Sequence, residues 1–264
     1  MINMFDFHIH TRVSFDSEAV PRDVILAAEQ KGISEICFTD HFDCHSDKLA
    51  RHDLFAPEDY LSEYGSVSSD KILIRRGIEF GLTEWNAYMM EDLEKKIDFD
   101  FVLGSLHFVN GVDPYFSEFW VGKEPHAAMI SYLDKTLECL KLHNNFDVLA
   151  HLNYVSRSAN NPTGKPIYYK DCREVADEIM KHLVKEGKGL EVNTSGRDRI
   201  GDFTPSLDYL KRFRELGGEI VTVGSDAHTP ERVGEYTREA SEMISEVFGY
   251  VCTFEKRKPI FHKL

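Results

Sequence analysis

The sequence lacks any apolar run that could cross a membrane, since no uninterrupted stretch of about 18 apolar residues occurs in the chain. Its first residues also lack the basic segment and apolar core that are typical of a secretory signal. Its cysteines are odd in number and form no C-x-x-C pair, which disfavours a disulfide framework and a zinc ribbon. They are Cys37, Cys44, Cys139, Cys172 and Cys252. These absences predict a cytoplasmic protein with no membrane partner.

Basic residues are scarce relative to acidic ones: 31 lysines and arginines stand against 45 aspartates and glutamates, and the formal net charge is −14. A protein that grips nucleic acid by its phosphates needs the opposite balance, so we expect no nucleic-acid partner. The charge count omits bound metals, however. Divalent cations held by acidic residues would make a local site positive on an otherwise acidic surface.

The chain does contain a regular alternation of predicted strands and helices, without a linker or a low-complexity segment. This alternation predicts an α/β protein with a parallel sheet and helices outside it. Seven strand–helix units in a single domain over residues 1–264 favour a closed or nearly closed, TIM-like barrel. An open doubly wound sheet is the alternative, but the glycine-rich phosphate loop expected after an early strand is absent.

The boundaries of these units follow from apolar patterning and from glycine and proline positions. The predicted strands cover residues 5–10, 33–39, 71–80, 99–104, 146–150, 189–193 and 219–224. The predicted helices cover residues 20–31, 58–69, 84–97, 125–143, 168–185, 205–216 and 231–248. Thr83 and Thr204 are candidate N-caps. Residues 108–124 form a long aromatic loop, and the basic tail 250–264 is a candidate edge strand without an assigned position.

The first strand carries two histidines in the sequence FDFHIH, residues 5–10. Side chains on a strand repeat with a period of two, so His8 and His10 point the same way. Paired imidazoles are poor core material, but neutral imidazole nitrogen is a good ligand for zinc, iron and similar ions. The pair therefore indicates a metal site. Two unrelated surface histidines at a strand edge are the alternative.

Further potential ligands lie at or just beyond the C-terminal ends of the predicted strands. In a parallel barrel those ends form one face, where active sites are found. The ligands at these ends are His8, His10, His41, Glu79, His107, His151, Asp226 and His228. The remaining histidines fall in predicted loops, helices or the tail and are assigned no role: His45, His52, His126, His143, His182 and His262. Cys44 and His45 follow His41 closely enough to approach the site.

So many ligands on one face exceed the needs of one ion, because zinc takes about four ligands and a catalytic site leaves one position open. Two or three divalent metals are therefore expected, and a glutamate such as Glu79 suits a bridging position. Two ions held together can carry a hydroxide nucleophile at neutral pH and clamp an in-line displacement at phosphorus. No covalent nucleophile from the protein is then required.

Two arginines follow strands at the same face. Arg157 lies in the loop after His151, and Arg197 follows the sixth predicted strand. A guanidinium fork matches the oxygens of a phosphate group, so both are candidate substrate-binding residues. The alternative for each is a solvated loop arginine.

Together these motifs resemble the polymerase-and-histidinol-phosphatase (PHP) domain, in order and over nearly the whole chain. The matching motifs are HIH at 8–10, TDH at 39–41, GIE at 77–79, GSLH at 104–107, AH at 150–151 and GSDAH at 224–228. The resemblance implies a distorted seven-stranded (β/α) barrel with a trinuclear centre of zinc, manganese or iron ions. It assigns the first metal to His8, His10, Glu79 and Asp226, the second to Glu79, His107 and His151, and the third to Asp16, His41 and His228.

Within this superfamily the chain is most similar to the monofunctional histidinol-phosphate phosphatases. The segments that carry this similarity are DHFD at 40–43, HFVNG at 107–111, EVNTSG at 191–196 and GSDAHTP at 224–230. The segment LNYVSR at 152–157 departs from the family pattern, which often carries an aspartate and basic residues there. The resemblance implies hydrolysis of L-histidinol phosphate, a step of histidine biosynthesis.

The main hypothesis is therefore a metal-dependent phosphomonoesterase that hydrolyses L-histidinol phosphate to L-histidinol and phosphate. A metal-bridging hydroxide would attack phosphorus, Arg157 and Arg197 would offset charge on the phosphoryl oxygens, and Asp226 or His228 would protonate the leaving alkoxide. A second hypothesis keeps this site but assigns another phosphomonoester, a phosphotyrosyl protein or a nucleotide diester as the substrate. A third is a metal-binding module without catalysis. The sequence leaves the oligomeric state open.

Overall fold

The computed structural model describes residues 3–44 and 53–264. Within these residues the strands are β1 (Met4–Ile9), β2 (Ile33–Phe38), β3 (His41–Phe42), β4 (Leu73–Gly81), β5 (Phe101–Ser105), β6 (Val148–Leu149), β7 (Gly189–Asn193), β8 (Val221–Gly224), β9 (Tyr250–Glu255) and β10 (Lys258–Lys263). The α-helices are α1 (Pro21–Gln30), α2 (Pro57–Tyr64), α3 (Ala87–Glu94), α4 (Pro125–Leu140), α5 (Arg173–Lys185), α6 (Arg197–Ile200), α7 (Leu207–Glu215) and α8 (Thr237–Ser245).

The sheet is parallel and runs in the order β1-β2-β4-β5-β6-β7-β8, with the short β3 paired to the end of β4. The first and last strands of this order meet at their C-terminal ends. There the Asp226 N–H donates to the His8 carbonyl at 2.8 Å, and the His10 N–H donates to the Ala227 carbonyl at 2.9 Å. The predicted nearly closed barrel is therefore confirmed, and the open doubly wound sheet is wrong.

Proline starts several of the helices and left-handed glycine follows others. Pro21, Pro57 and Pro125 occupy the first turns of α1, α2 and α4, where the missing N–H costs no intrahelical hydrogen bond. Gly32 and Gly187, with φ angles of 70° and 66°, follow α1 and α5 in the left-handed conformation that ends helices. These signals explain why the predicted helices lie in the right places.

Two predicted N-caps are wrong, because a loop precedes each helix. Helix α3 begins after Asn86, whose side chain accepts the Thr83 N–H at 3.0 Å and donates to the Gly81 carbonyl at 2.7 Å. Helix α7 begins after Ser206. Thr204 instead pairs through its backbone with Asn193 at the end of β7.

The basic tail forms an antiparallel hairpin of β9 and β10, separate from the barrel sheet. Phe254 on β9 is buried against Phe101 with ring centroids 4.8 Å apart, and Phe101 in turn contacts Phe7. The Arg257 guanidinium at the hairpin turn bonds the Asp147 carboxylate at 2.6 Å, just before β6 begins. The hairpin therefore covers the N-terminal end of the barrel, opposite the face that carries the predicted ligands.

No helix in the described part of the chain combines the length and the apolar character needed to cross a bilayer.

Candidate metal centre

Glu79, near the end of β4, lies at the middle of the predicted ligands and is fully buried. Its Oε1 accepts a hydrogen bond from the Ser105 hydroxyl at 2.6 Å, which fixes the carboxylate. Histidines from four further strand ends surround it. The nitrogen–oxygen distances to Glu79 are 3.2 Å from His8, 3.4 Å from His10, 3.0 Å from His41, 3.3 Å from His107 and 2.7 Å from His151.

A second carboxylate, Asp226, approaches the same histidines from the loop after β8. Its Oδ1 lies 3.2 Å from His10 Nε2 and 3.6 Å from His8 Nε2. Asp226 has a φ angle of 57°, a left-handed conformation that aspartate adopts more readily than most residues. The closure of the barrel at His8 and Asp226 thus places residues more than 200 positions apart in sequence around one point.

Asp16 and His228 complete the cluster on the side nearest solvent. Asp16 Oδ2 lies 3.1 Å from His228 Nε2 and 3.6 Å from His41 Nε2. The His228 side chain is 30% exposed and that of Asp16 is 37% exposed, whereas the rest of the cluster is buried. This edge is therefore where a substrate from solvent would arrive.

The loop that carries Asp16 is held by Asp40, a fully buried carboxylate. Asp40 accepts hydrogen bonds from the Thr11 N–H at 2.7 Å and from the Ser14 hydroxyl at 2.9 Å. The Ser14 oxygen also lies 3.0 Å from His10 Nδ1. The DH pair of the sequence therefore serves two purposes, with Asp40 ordering the loop and His41 facing Glu79.

The donor atoms fit metal ions. Buried polar atoms are almost always hydrogen-bonded, and each one left unpaired costs roughly 1–3 kcal/mol. Here His8 Nε2, His10 Nε2, His41 Nδ1 and Glu79 Oε2 are buried, form no hydrogen bond and face one another. Among the described residues, four groups of three ligand atoms have all three atoms within 4.8 Å of one another: His8, His10 and Asp226; His8, Glu79 and His151; His10, His41 and His228; and His41, Asp43 and His107.

The pKa shifts show that the buried carboxylates and histidines of this cluster stabilise one another's charges. Burial opposes ionisation of Glu79, yet positive charge on His8 and His107 lowers its pKa well below the usual range. Burial also opposes protonation of His41, but the carboxylates of Glu79 and Asp43 raise its pKa to about 9. Burial and the neighbouring rings of His228 and His41 lower the pKa of His10 well below its usual value. Protons and cations therefore compete for the same nitrogen atoms.

Asp43 belongs to the cluster but is missing from the predicted ligands. Both of its carboxylate oxygens lie 3.0 Å from His107 Nδ1, and Oδ2 lies 3.2 Å from His41 Nδ1. The signal was present in the sequence DHFD, since His41 and Asp43 alternate with the period of a strand.

Glu191 is also missing from the predicted ligands. It lies at the centre of β7, fully buried between apolar neighbours, with Oε1 at 2.6 Å from His8 Nδ1. A charged residue between the apolar Leu190 and Val192 was the available signal.

The two predicted substrate-binding arginines occupy different surroundings. Arg157 contacts the Ser195 hydroxyl and bonds Asp226 Oδ2 at 2.5 Å, so its guanidinium borders the cluster. Arg197 bonds the Gly201 carbonyl and lies 3.9 Å from the Glu239 carboxylate, with its side chain 40% exposed. The structure brings Arg157, and not Arg197, into contact with a predicted ligand. The roles of both in binding substrate stay predictions.

Three of the histidines to which the sequence assigned no role pair with groups outside the cluster. His126 and His143 pair with backbone carbonyls, and His262 pairs with the Thr253 hydroxyl. Together with His182, they belong to none of the ligand groups formed by the described residues. Cys44 is buried. His45 and His52 lie outside the described residues.

Comparison with known proteins identifies the protein family. Residues 6–195 match the PHP domain, and the chain belongs to the PHP domain family. A histidinol-phosphatase of Lactococcus lactis is 32% identical over 96% of this chain and 95% of its own length. A probable histidinol-phosphatase of Clostridium acetobutylicum is likewise 32% identical, over 96% of this chain and 98% of its own length.

A solved structure extends the comparison. The crystal structure of histidinol phosphate phosphatase from Lactococcus lactis, in complex with zinc, L-histidinol and phosphate, superposes with a TM-score of 0.83 and 27% sequence identity. The match covers 98% of this chain and all of the other. The resemblance inferred from the motifs is therefore confirmed.

Proposed function

We propose that this chain is a metal-dependent phosphomonoesterase that hydrolyses L-histidinol phosphate to L-histidinol and phosphate. One observation carries the proposal: the barrel superposes along almost its whole length on an enzyme crystallised with zinc, L-histidinol and phosphate. The unpaired ligand atoms around Glu79 agree with it. A small phosphomonoester suits this site better than nucleic acid does, because the net charge of −14 would repel a long phosphate backbone.

We propose that residues 1–264 act as one metallophosphoesterase domain. The family match ends at residue 195, but Asp226 and His228 reach the cluster from beyond it. The hairpin of β9 and β10 then covers the opposite end of the barrel. The site is incomplete without the C-terminal third of the chain.

The centre would hold two or three divalent ions, zinc, manganese or iron. His8, His10, Glu79 and Asp226 would hold the first; Glu79, His107 and His151 the second; Asp16, His41 and His228 the third. When bound, such ions polarise a phosphoryl oxygen and lower the pKa of a coordinated water towards 7. Of the four ligand groups among the described residues, one belongs to the first set and two combine residues of different sets. The fourth adds Asp43 to His41 and His107.

Arg157 is the side chain best placed to bind the phosphoryl group. Its side chain is 16% exposed, and its guanidinium borders Asp226 and lies over the Tyr154 ring at 4.8 Å, so packing holds it in place. Charge-assisted hydrogen bonds from a fixed guanidinium stabilise the negative charge that phosphoryl oxygens carry. Arg197 would have to leave the Gly201 carbonyl to join it, so its contribution is the smaller of the two.

With two ions bound and its imidazole free of metal, His228 is the better candidate to protonate the leaving alkoxide. Burial opposes ionisation of Asp226, yet Arg157 and His8 lower its pKa well below the usual range, and a strong acid of this kind holds no proton at neutral pH. His228 is partly exposed at the edge where substrate arrives, with Nε2 at 3.1 Å from Asp16. A leaving group at this edge would lie next to its imidazole.

The test is phosphate release by purified protein with added zinc or manganese. L-histidinol phosphate would be compared with other phosphomonoesters, a phosphotyrosyl peptide and a nucleotide diester. A preference of about a thousandfold or more in kcat/KM for L-histidinol phosphate is the expected result. Indiscriminate release or a preference for the diester would refute the substrate, and metal binding without any turnover would identify a non-catalytic module.

A further inference from the structure

We propose that Glu191 is a positioning residue of the metal centre, which orients two ligands, His8 and His151, through its two carboxylate oxygens. Glu191 is not among the residues assigned to the metals above. The inference rests on the metal centre of the proposed function and is independent of which phosphate ester is the substrate.

The geometry is that of one carboxylate spanning two strand ends. Glu191 Oε1 lies 2.6 Å from His8 Nδ1, and Oε2 accepts the backbone N–H of His151 at 2.8 Å. The Asn193 side-chain amide donates to Oε2 at 3.2 Å. Glu191 is 1% exposed, so water does not compete for these hydrogen bonds. Both oxygens are therefore committed to residues that would hold metal.

The bond to His8 decides which ring nitrogen can bind metal. A carboxylate only accepts hydrogen bonds, so His8 carries its proton on Nδ1. This leaves Nε2, which faces Glu79 at 3.2 Å and Asp226 at 3.6 Å, as the ring nitrogen that can bind a metal ion in exchange for its own proton. Carboxylate partners of ligating histidines fix the tautomer and the ring orientation in this way.

The bond to His151 holds an unfavourable backbone conformation. His151 has a φ angle of 22°, on the left-handed side where residues other than glycine are uncommon. Such conformations cost of order 1–3 kcal/mol and persist where the surroundings impose them. The hydrogen bond of the His151 N–H to Glu191 acts at this point, and the ring then places Nε2 2.7 Å from Glu79 Oε1.

Gly224 provides the space for this arrangement. A Cβ atom at Gly224, the last residue of β8, would lie 2.4 Å from Glu191 Oε1 and 2.3 Å from the Cβ of His8. Both distances are far below van der Waals contact. Any side chain at this position would push Glu191 and His8 apart, so the absence of one is needed for the short bond between them.

The experiment compares zinc binding by wild type, Glu191→Gln and Asp147→Asn, by competition with a chromophoric chelator and by metal content after dialysis. Glutamine has one acceptor and one donor. It either gives His8 the wrong tautomer or turns its amide against the His151 N–H. We expect about 10- to 100-fold weaker zinc binding for Glu191→Gln, the usual effect of losing an outer-sphere partner.

Asp147→Asn is the matched control, because Asp147 is also a buried carboxylate that accepts a backbone N–H, from Val102 at 2.8 Å, but at the opposite end of the barrel. It should lose stability and keep wild-type zinc affinity. Wild-type zinc affinity and stoichiometry in Glu191→Gln would overturn the proposal. If Glu191→Gln does not fold, Glu191→Asp carries the test, because its carboxylate keeps the charge but is too short to reach both His8 and His151. Weaker zinc binding is expected, and unchanged affinity would contradict the proposal. Wild type that binds zinc without hydrolysing L-histidinol phosphate would refute the proposed substrate alone.

Discussion

At the scale of single residues, the centre is built around Glu79, the carboxylate that faces histidines from four other strand ends. Its two oxygens face five histidines. Burial opposes its ionisation, yet positive charge on His8, His107 and His41 lowers its pKa well below the usual range. Removing its charge leaves His8, His41 and His107 with one carboxylate fewer to balance their positive charge. Breaking buried charged clusters by removing one partner is strongly destabilising.

We expect Glu79→Gln to weaken metal binding more than roughly 100-fold, because a direct ligand is lost. Loss of a residue that only hydrogen-bonds a ligand weakens binding by up to about that factor. Phosphatase activity should fall with it. Metal content after dialysis and phosphate release are the measurements. Glu35→Gln is the control. Glu35 is also buried, but it lies outside the cluster, and its Oε1 accepts a hydrogen bond from Arg75 Nε at 2.6 Å. Full metal content in Glu79→Gln would contradict the assignment.

The two arginines offer a second comparison at this scale. Truncating one member of a buried charged pair costs about 2–5 kcal/mol. We expect Arg157→Ala to lower kcat/KM about 30-fold or more, and Arg197→Ala to lower it less, because the Arg197 side chain is 40% exposed and turned to the Gly201 carbonyl. The measurement is kcat/KM of both variants by steady-state kinetics, with their metal content determined as the control. Equal losses would show that Arg197 also reaches the phosphate.

At the scale of elements, the C-terminal hairpin is the part whose role the sequence left open. Its alternation in β9 and β10 is that of a strand, but its partner could not be chosen because every barrel strand already had two neighbours or lay at the seam. In the structure β9 and β10 pair with each other, and Phe254 packs against Phe101 at the N-terminal end of the barrel.

We therefore expect Phe254→Ala to lower the free energy of unfolding by about 3–5 kcal/mol, the usual cost of a large cavity in a core. Phe261→Ala on the same hairpin, where the side chain is 51% exposed, should cost less than about 1 kcal/mol. Urea unfolding of both variants gives the comparison. Similar losses in the two would mean that the hairpin contributes little to the core.

At the scale of the whole molecule, metal and proton binding are linked to stability. Burial opposes protonation of His41, but Glu79 and Asp43 raise its pKa to about 9. In metal-free protein, protonated His41 thus contributes stability that is fully present below its unfolded pKa of about 6.5 and is lost as pH rises towards 9. A bound cation replaces that proton.

We expect the melting temperature of protein treated with a chelator to fall between pH 6.5 and 9 more than that of the zinc-loaded protein. Ligand at about a thousand times its Kd adds about 4 kcal/mol of stability, so the gap at pH 9 should be several degrees. Thermal unfolding across this range, with and without zinc, is the measurement. A gap that narrows with rising pH would contradict the linkage.

The sequence by itself determined the order of strands and helices, the barrel and the cluster of ligands at one face. The physical reason is local: strand periodicity, proline and glycine signals and the parallel direction of the strands require no knowledge of distant contacts. His8, His41 and Glu79 lie at strand ends, and a parallel barrel must bring such ends together.

Only the tertiary structure decided which side chains orient those ligands. Glu191 meets His8 across 183 positions of sequence, through a seam whose register the local pattern does not specify. Arg157 and Arg197 look equivalent as loop arginines, and their long flexible side chains take their directions from neighbours such as Tyr154. Contacts of this kind form only when the barrel closes, so no single segment of the sequence determines them.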